Sequence, residues 1–270
     1  MHRRLLLLLP AILIFQACGS DNGSADTSPT ANDSDAVAKW RREIRKNPDS
    51  PALRMHLVDA LEEKKNYPAA FAELDSLLQQ DSTIALLHFR KGRLQLASGD
   101  TSAGIRSLKR ALAYAPDNAD ILLELGYVEA NRGDAEALTI ADTVISVSKD
   151  ADLRSRARLL KGIFYSNKGD KASALKEYDA SIIDNYTFLD AFLEKAIVQY
   201  EMKRYADAQA TLDKAQAIRP AEPEIYLWKG KCSQAAGQRA EAMDNYRKCL
   251  GLDAGMKEAA DLLTGLEKAK

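Results

Sequence analysis

The sequence predicts an all-α protein built as a solenoid of stacked helix–turn–helix units, and three observations carry that expectation. A small residue of the first helix recurs in one register, at Gly92, Gly126, Gly162, Ala196 and Gly230, in steps of 34, 36, 34 and 34 residues. Val58 holds the same place one step earlier, and a second small position follows twelve residues on, at Ala70, Gly104, Ala174, Ala208 and Ala242. Between the two lie the turns Gly99-Asp100, Gly133-Asp134, Gly169-Asp170 and Gly237-Gln238, while Pro48, Pro116 and Pro220 fall where a helix must stop. A fixed period of this length marks a repeat architecture. Two antiparallel helices joined by a tight turn approach closely only where their crossing carries almost no side chain, which the paired small residues supply. Leu74, Leu108, Tyr178, Leu212 and Tyr246, four residues after the second small position, are expected to fill the seam to the next unit.

Before the repeats, residues 1–34 have another character. Met1-His2-Arg3-Arg4 is a short cationic start, and Leu5 to Phe15 is an apolar run too short to span a bilayer but sized for a signal-peptide core. Ala17-Cys18 resembles the lipobox of bacterial lipoproteins, in which a small residue precedes the cysteine that is lipidated and becomes the new N-terminus. Phe15 and Gln16 depart from the usual leucine and small residue, so ordinary secretory cleavage nearby is the alternative. The expectation is a signal peptide over 1–17 and a lipidated Cys18, which would place the chain on a bacterial membrane, the outer one foremost. Residues 18–34 continue as "GSDNGSADTSPTANDS" after the cysteine, a stretch that cannot bury anything. As a flexible tether it would span roughly 20–25 Å and hold a folded body clear of the lipid surface.

Residues 35–50 read as an N-terminal capping helix with Val37, Trp40 and Ile44 on one stripe and Lys39, Arg41, Arg42, Arg45 and Lys46 facing out. Lying one linker from the anchor, "KWRREIRK" could touch anionic head groups, but the solvated back of a cap is the simpler reading. Six units then run 51–84, 85–118, 119–154, 155–188, 189–222 and 223–256. The third is irregular: its turn is one residue short and its exit, through Ser148 to Leu153, about three longer. Residues 257–270 close the array with a helix presenting Ala260, Leu263 and Leu266 inward, as repeat arrays need polar-backed ends.

A 34-residue helix–turn–helix with these marks resembles the tetratricopeptide repeat. The resemblance covers about three quarters of the chain and implies a right-handed superhelix whose first helices line a concave groove. The family's first-helix Trp is replaced here by His88, Leu122, Arg158, Phe192 and Tyr226, and its Tyr survives only at Tyr165.

Motifs for chemistry are missing from the sequence. His2, His56 and His88 are the three histidines; none pairs with another at metal-ligand spacing, and His88 sits at a packing position. The Gly-Asp pairs belong to helix turns, not to phosphate loops after strands, and no G-x-S-x-G elbow occurs. Cys232 and Cys249 lie on facing helices with an axial offset of roughly 7 Å, so two free thiols are expected ahead of a disulfide. "RSRAR" (154–158) opens the fourth unit, with Arg156 directed at the inner surface. A net charge of −1 gives no reason to expect nucleic acid. Neither enzyme activity, cofactor nor metal is expected.

The resemblance assigns repeat positions 2, 5, 9 and 12 to the groove. Position 5 is apolar throughout, with Met55, Phe89, Leu123, Leu159, Leu193 and Leu227, and positions 9 and 12 add Tyr127, Ile163, Ile197 and Tyr200 in the middle of the array. Phe89, Leu123, Tyr127, Leu159, Ile163, Leu193, Ile197, Tyr200 and Leu227 are therefore the candidate partner-binding residues, an apolar stripe with a polar rim fit for a protein or peptide. The competing reading is that position 5 is half buried against neighbouring helices. Met55 and Asp59 stand where members that clamp chaperone C-termini need Lys and Asn, so that mode is not expected. The resemblance implies a protein-binding scaffold of the kind that assists pilus or secretin assembly, outer-membrane protein insertion or control of cell-wall hydrolases. The alternative is a lipoprotein holding an apolar small molecule or lipid for a transport system.

Overall fold

A computed structural model describes residues 36–268, so the expected signal peptide, Cys18 and the tether lie outside the described residues. Fourteen helices and no strand are found among them: α1 (Ala36–Lys46), α2 (Pro51–Glu63), α3 (Tyr67–Gln80), α4 (Ala85–Ala97), α5 (Thr101–Tyr114), α6 (Ala119–Arg132) and α7 (Glu136–Val147). The second half continues with α8 (Ala151–Asn167), α9 (Lys171–Asp184), α10 (Leu189–Glu201), α11 (Tyr205–Ile218), α12 (Pro223–Ala235), α13 (Arg239–Leu252) and α14 (Lys257–Lys268). Helices α2 to α13 form six antiparallel pairs, each packed on the next, in an α-solenoid.

Helix ends are written locally. Ser50, Asn66, Asp100, Asn118 and Asp170 each cap a helix by accepting from the backbone N–H three residues on. The turns within pairs need a left-handed residue, which Gly99, Gly133, Gly169 and Gly237 supply with φ between 67° and 92°. In the first and fifth pairs that place falls to Lys65 and Lys203, with φ of 55° and 61°.

The helix crossings are as close as the paired small residues require, but the large residue opposite belongs to the same pair. A Cβ added at Gly162 would lie 2.2 Å from the Tyr178 ring, and one at Gly230 would lie 2.5 Å from Tyr246. Leu108 occupies the same place over Gly92. Tyr178, Tyr246 and Leu108 therefore seal the crossing within their own unit instead of serving only the seam to the next. All three are fully buried.

Between units, a lysine on four of the first helices pairs with an aspartate of the preceding second helix: Lys91–Asp75, Lys161–Asp142, Lys195–Asp179 and Lys229–Asp213, at 2.5 to 2.9 Å. Leu125 replaces that lysine in the third unit. His56 stacks on Trp40 with ring centroids 4.6 Å apart, fixing α1 to α2. His88 bonds the Ser82 carbonyl through Nε2 at 2.9 Å and stacks on Tyr114, a packing role as expected. At the far end Ala259, one residue before the expected Ala260, is fully buried, with Leu262, Leu263 and Leu266 beside it.

The third unit departs from the expected boundary. Residues 151–154 do not lengthen a loop; they add a turn to the start of α8, capped by Asp150. Arg154 Nε donates to Asp184 at 3.1 Å, Asn185 donates to Asp152, and Arg158 shares Asp184, so the added turn is held against the end of α9. With the short turn before α7, α8 packs on α6 as well as on α7. Leu160 of α8 fills the space beside Gly126, 2.6 Å from where its Cβ would stand. Asn167 donates to the Ala130 carbonyl at 2.9 Å.

A candidate protein-binding groove on the first helices

The candidate residues divide in two. Leu123, Leu159, Ile163, Leu193 and Leu227 are buried, at 1 to 5% exposure, so the competing reading holds for position 5 from the third unit on. Closeness of successive first helices is the cause: the position-5 leucines fall between them, most tightly where α8 meets α6. Phe89, Tyr127, Ile197 and Tyr200 remain half-exposed and are what the surface presents.

Structure adds residues that the apolar pattern did not single out. One recess is lined by Tyr127 from α6, Leu159 and Ile163 from α8, Asp190, Leu193, Glu194 and Ile197 from α10, and Glu224 from α12. Four successive first helices thus share one face, with an apolar floor and a carboxylate wall. The recess is part-open to solvent and has about 10 Å³ of space, that of one water molecule. Asp190 and Glu224 both occupy repeat position 2, where the family's groove assignment would have found them. Beyond the recess, Tyr200 lies 5.6 Å from Trp228 and 5.4 Å from Tyr205, and Lys231 sits over the Trp228 ring at 4.0 Å.

Burial dominates the electrostatics of this face. Desolvation raises the Glu124, Asp190 and Glu224 carboxyls above their ordinary values, against the Trp228 indole beside Glu224 and the pull of more distant cations. Arg156, predicted to face inward, does so, and reaches Asp120 at 3.5 Å. Arg93 is over the Phe89 ring, and Lys231 pairs with Glu258 at 2.5 Å. Arg154 and Arg158, by contrast, are structural, both bound to Asp184.

Reactive chemistry is not assembled elsewhere among the described residues. Cys232 and Cys249 are free and buried, and burial pushes both thiols up to about 11, away from the thiolate form. No three His, Cys, Asp or Glu side chains converge to hold a metal. No described helix is long and apolar enough to cross a membrane.

One tetratricopeptide-repeat family model matches residues 34–83 and 89–137, and another matches 223–255. No curated protein matches the sequence. Among solved structures, a tetratricopeptide repeat protein from Parabacteroides merdae is similar over 86% of this chain and 91% of its own, with a TM-score of 0.71 and 17% identity. PilW, described as a widely conserved type IV pilus biogenesis factor, is similar over 79% of this chain and 98% of its own, with a TM-score of 0.64 and 20% identity. Pseudomonas aeruginosa pilF is similar over 85% and 99%, with a TM-score of 0.57 and 18% identity. Sequence match and fold agree, and the chain belongs to the tetratricopeptide-repeat family.

Proposed function

We propose that the chain is a non-enzymatic scaffold, tethered by a lipidated Cys18 to a bacterial membrane, which holds another envelope protein against its first helices during assembly or regulation of a complex. The observation that carries the scaffold reading is the half-exposed row Tyr127, Ile197 and Tyr200, flanked by Trp228 and by carboxylates, on a face that no other described helix covers. Aromatic anchors beside a polar rim are how protein-binding surfaces gain affinity. Support for the anchor is in the sequence, where the apolar run ends at Ala17-Cys18 and a polar tether follows. The pilus biogenesis factor PilW among the similar structures makes pilus assembly one concrete setting for such a scaffold. A recess with room for one water gives no support to the alternative of an enclosed lipid or apolar ligand.

The test is capture from cross-linked envelope by wild type and by an Ile197→Arg, Tyr200→Ala variant. Leu159 and Leu193 are left unchanged, because a charge placed at either would be buried and would disrupt the packing of its unit. The expected result is a discrete set of captured proteins that the variant loses while its circular dichroism is unchanged. Equal capture by both would overturn the groove. Mass spectrometry of the mature N-terminus tests the anchor separately: a diacylated or triacylated Cys18 is expected, and an unmodified terminus elsewhere would remove it.

A further inference from the structure

We infer that the recess at Asp190 and Glu224 receives a lysine side chain from a partner segment, its stem lying on Ile163 and Ile197 and its ammonium group between the carboxylates. The inference rests on the scaffold reading and names the chemistry of the partner.

Three features of the site point to a lysine. The floor is apolar and the wall is acidic, which matches the two parts of a lysine, an alkyl stem and a charged end. The space suits a group the size of water, and an ammonium is such a compact charge, whereas a planar guanidinium is broader. Asp190 and Glu224 also lack an ion-pair partner of their own. Neither Asp190 nor Glu224 has a Lys or Arg of the described residues within ion-pair distance, and the cations acting on them from further off are Arg156, Arg219 and Lys231. Arg156 is held by Asp120 and Lys231 by Glu258. The Trp228 indole beside Glu224 and the more distant Arg219 at Asp190 offset part of the desolvation and leave both carboxyls raised, and a cation brought within ion-pair distance by another molecule would offset more of it.

Other occupants fit less well. A metal ion lacks three converging ligands among the described residues. The chain's own tether, residues 19–34, carries Asp21, Asp26 and Asp33 and no Lys or Arg, so the acidic wall repels it. A second copy of the chain would have to present one of its lysines.

The experiment selects random 12-residue phage-displayed peptides on the full mature chain, then measures the recovered peptides by calorimetry against wild type, Asp190→Asn and Glu224→Gln. Both substitutions keep the side-chain shape and remove a charge that the fold buries, so they leave the fold intact. The expected result is enrichment of lysine flanked by apolar residues. Affinity should fall about tenfold for either variant, and as much when the peptide lysine becomes norleucine. Binding should also weaken with added salt. Peptides without basic residues, affinity indifferent to both variants, or no enrichment at all would overturn the inference. If envelope capture still depends on Ile197 and Tyr200 in that event, the scaffold reading stands and only the lysine falls. Sedimentation completes the test: a dimer of the chain that Asp190→Asn dissociates would assign the recess to self-association instead.

Discussion

Lys65 and Lys203 occupy turn positions that glycine fills in four other units, and both hold a left-handed backbone. An L side chain there is disfavoured by roughly 1–2 kcal/mol, while glycine gives part of that back through its freedom in the unfolded chain. Lys65→Gly and Lys203→Gly are therefore each expected to stabilise the fold by about 1 kcal/mol, read from the midpoint of urea unfolding. Glycines inside helices behave oppositely according to what they face. Gly162→Ala meets the Tyr178 ring and is expected to destabilise by about 1–3 kcal/mol, despite the better helix propensity of alanine. Gly265→Ala, in open space on α14, should stabilise by up to about 1 kcal/mol. Equal effects at the two glycines would contradict the close crossing. The small-residue register in the sequence announced that crossing, but the identity of the residue filling it, Tyr178 of the same unit, needed the folded pair.

Each element buries its face only by stacking on its neighbour, so stability along the array is local. The last unit depends on α14, whose Ala259, Leu262, Leu263 and Leu266 cover Tyr226, Leu227 and Tyr246. Deleting residues 257–270 is expected to speed amide exchange throughout α12 and α13 while leaving α2 to α9 unchanged, as hydrogen-exchange mass spectrometry would show. Uniform acceleration across all units would mean that the array unfolds as one block. The third unit shows where reading by period alone stops. A fixed repeat length placed the start of the fourth unit at residue 155, whereas α8 begins at Ala151. Inserted residues in a helix-forming stretch extended a helix, because Arg154 and Asp152 find partners at Asp184 and Asn185, at the end of α9.

At the scale of the whole molecule, six first helices gather into one face, and the carboxylates collected there oppose folding. Asp190 and Glu224 have carboxyls raised by burial, so the folded state holds their protons more tightly than the unfolded chain. Their ionisation therefore lowers stability above the raised folded values, and that penalty disappears as pH falls through them toward the ordinary carboxylate value of about 4. The Asp190→Asn, Glu224→Gln double variant is expected to melt at a higher temperature than wild type at pH 7, with the difference shrinking toward pH 4. A variant melting below wild type at pH 7 would show that these charges are compensated within the chain. Placing carboxylates without ion-pair partners on the face proposed to bind a partner is a trade of stability for recognition.

The period of small residues, the capping side chains and the glycine turns determined the helix pairs and their stacking from sequence alone, because those signals act over a few residues or one repeat. The apolar run and the polar stretch around Cys18 are legible in the sequence as composition, and the anchor read from them is a proposal. Tertiary structure decided which residues of the groove stripe remain on the surface. Leu159 and Leu193 have the same character in sequence as Ile197, yet neighbouring first helices close over the former pair and leave the latter half-exposed. Only the folded array brings Asp190, Glu224 and Ile163, from three different helices, to one recess. Exposure at a repeat position depends on how closely successive units pack, and that distance is a property of their assembly.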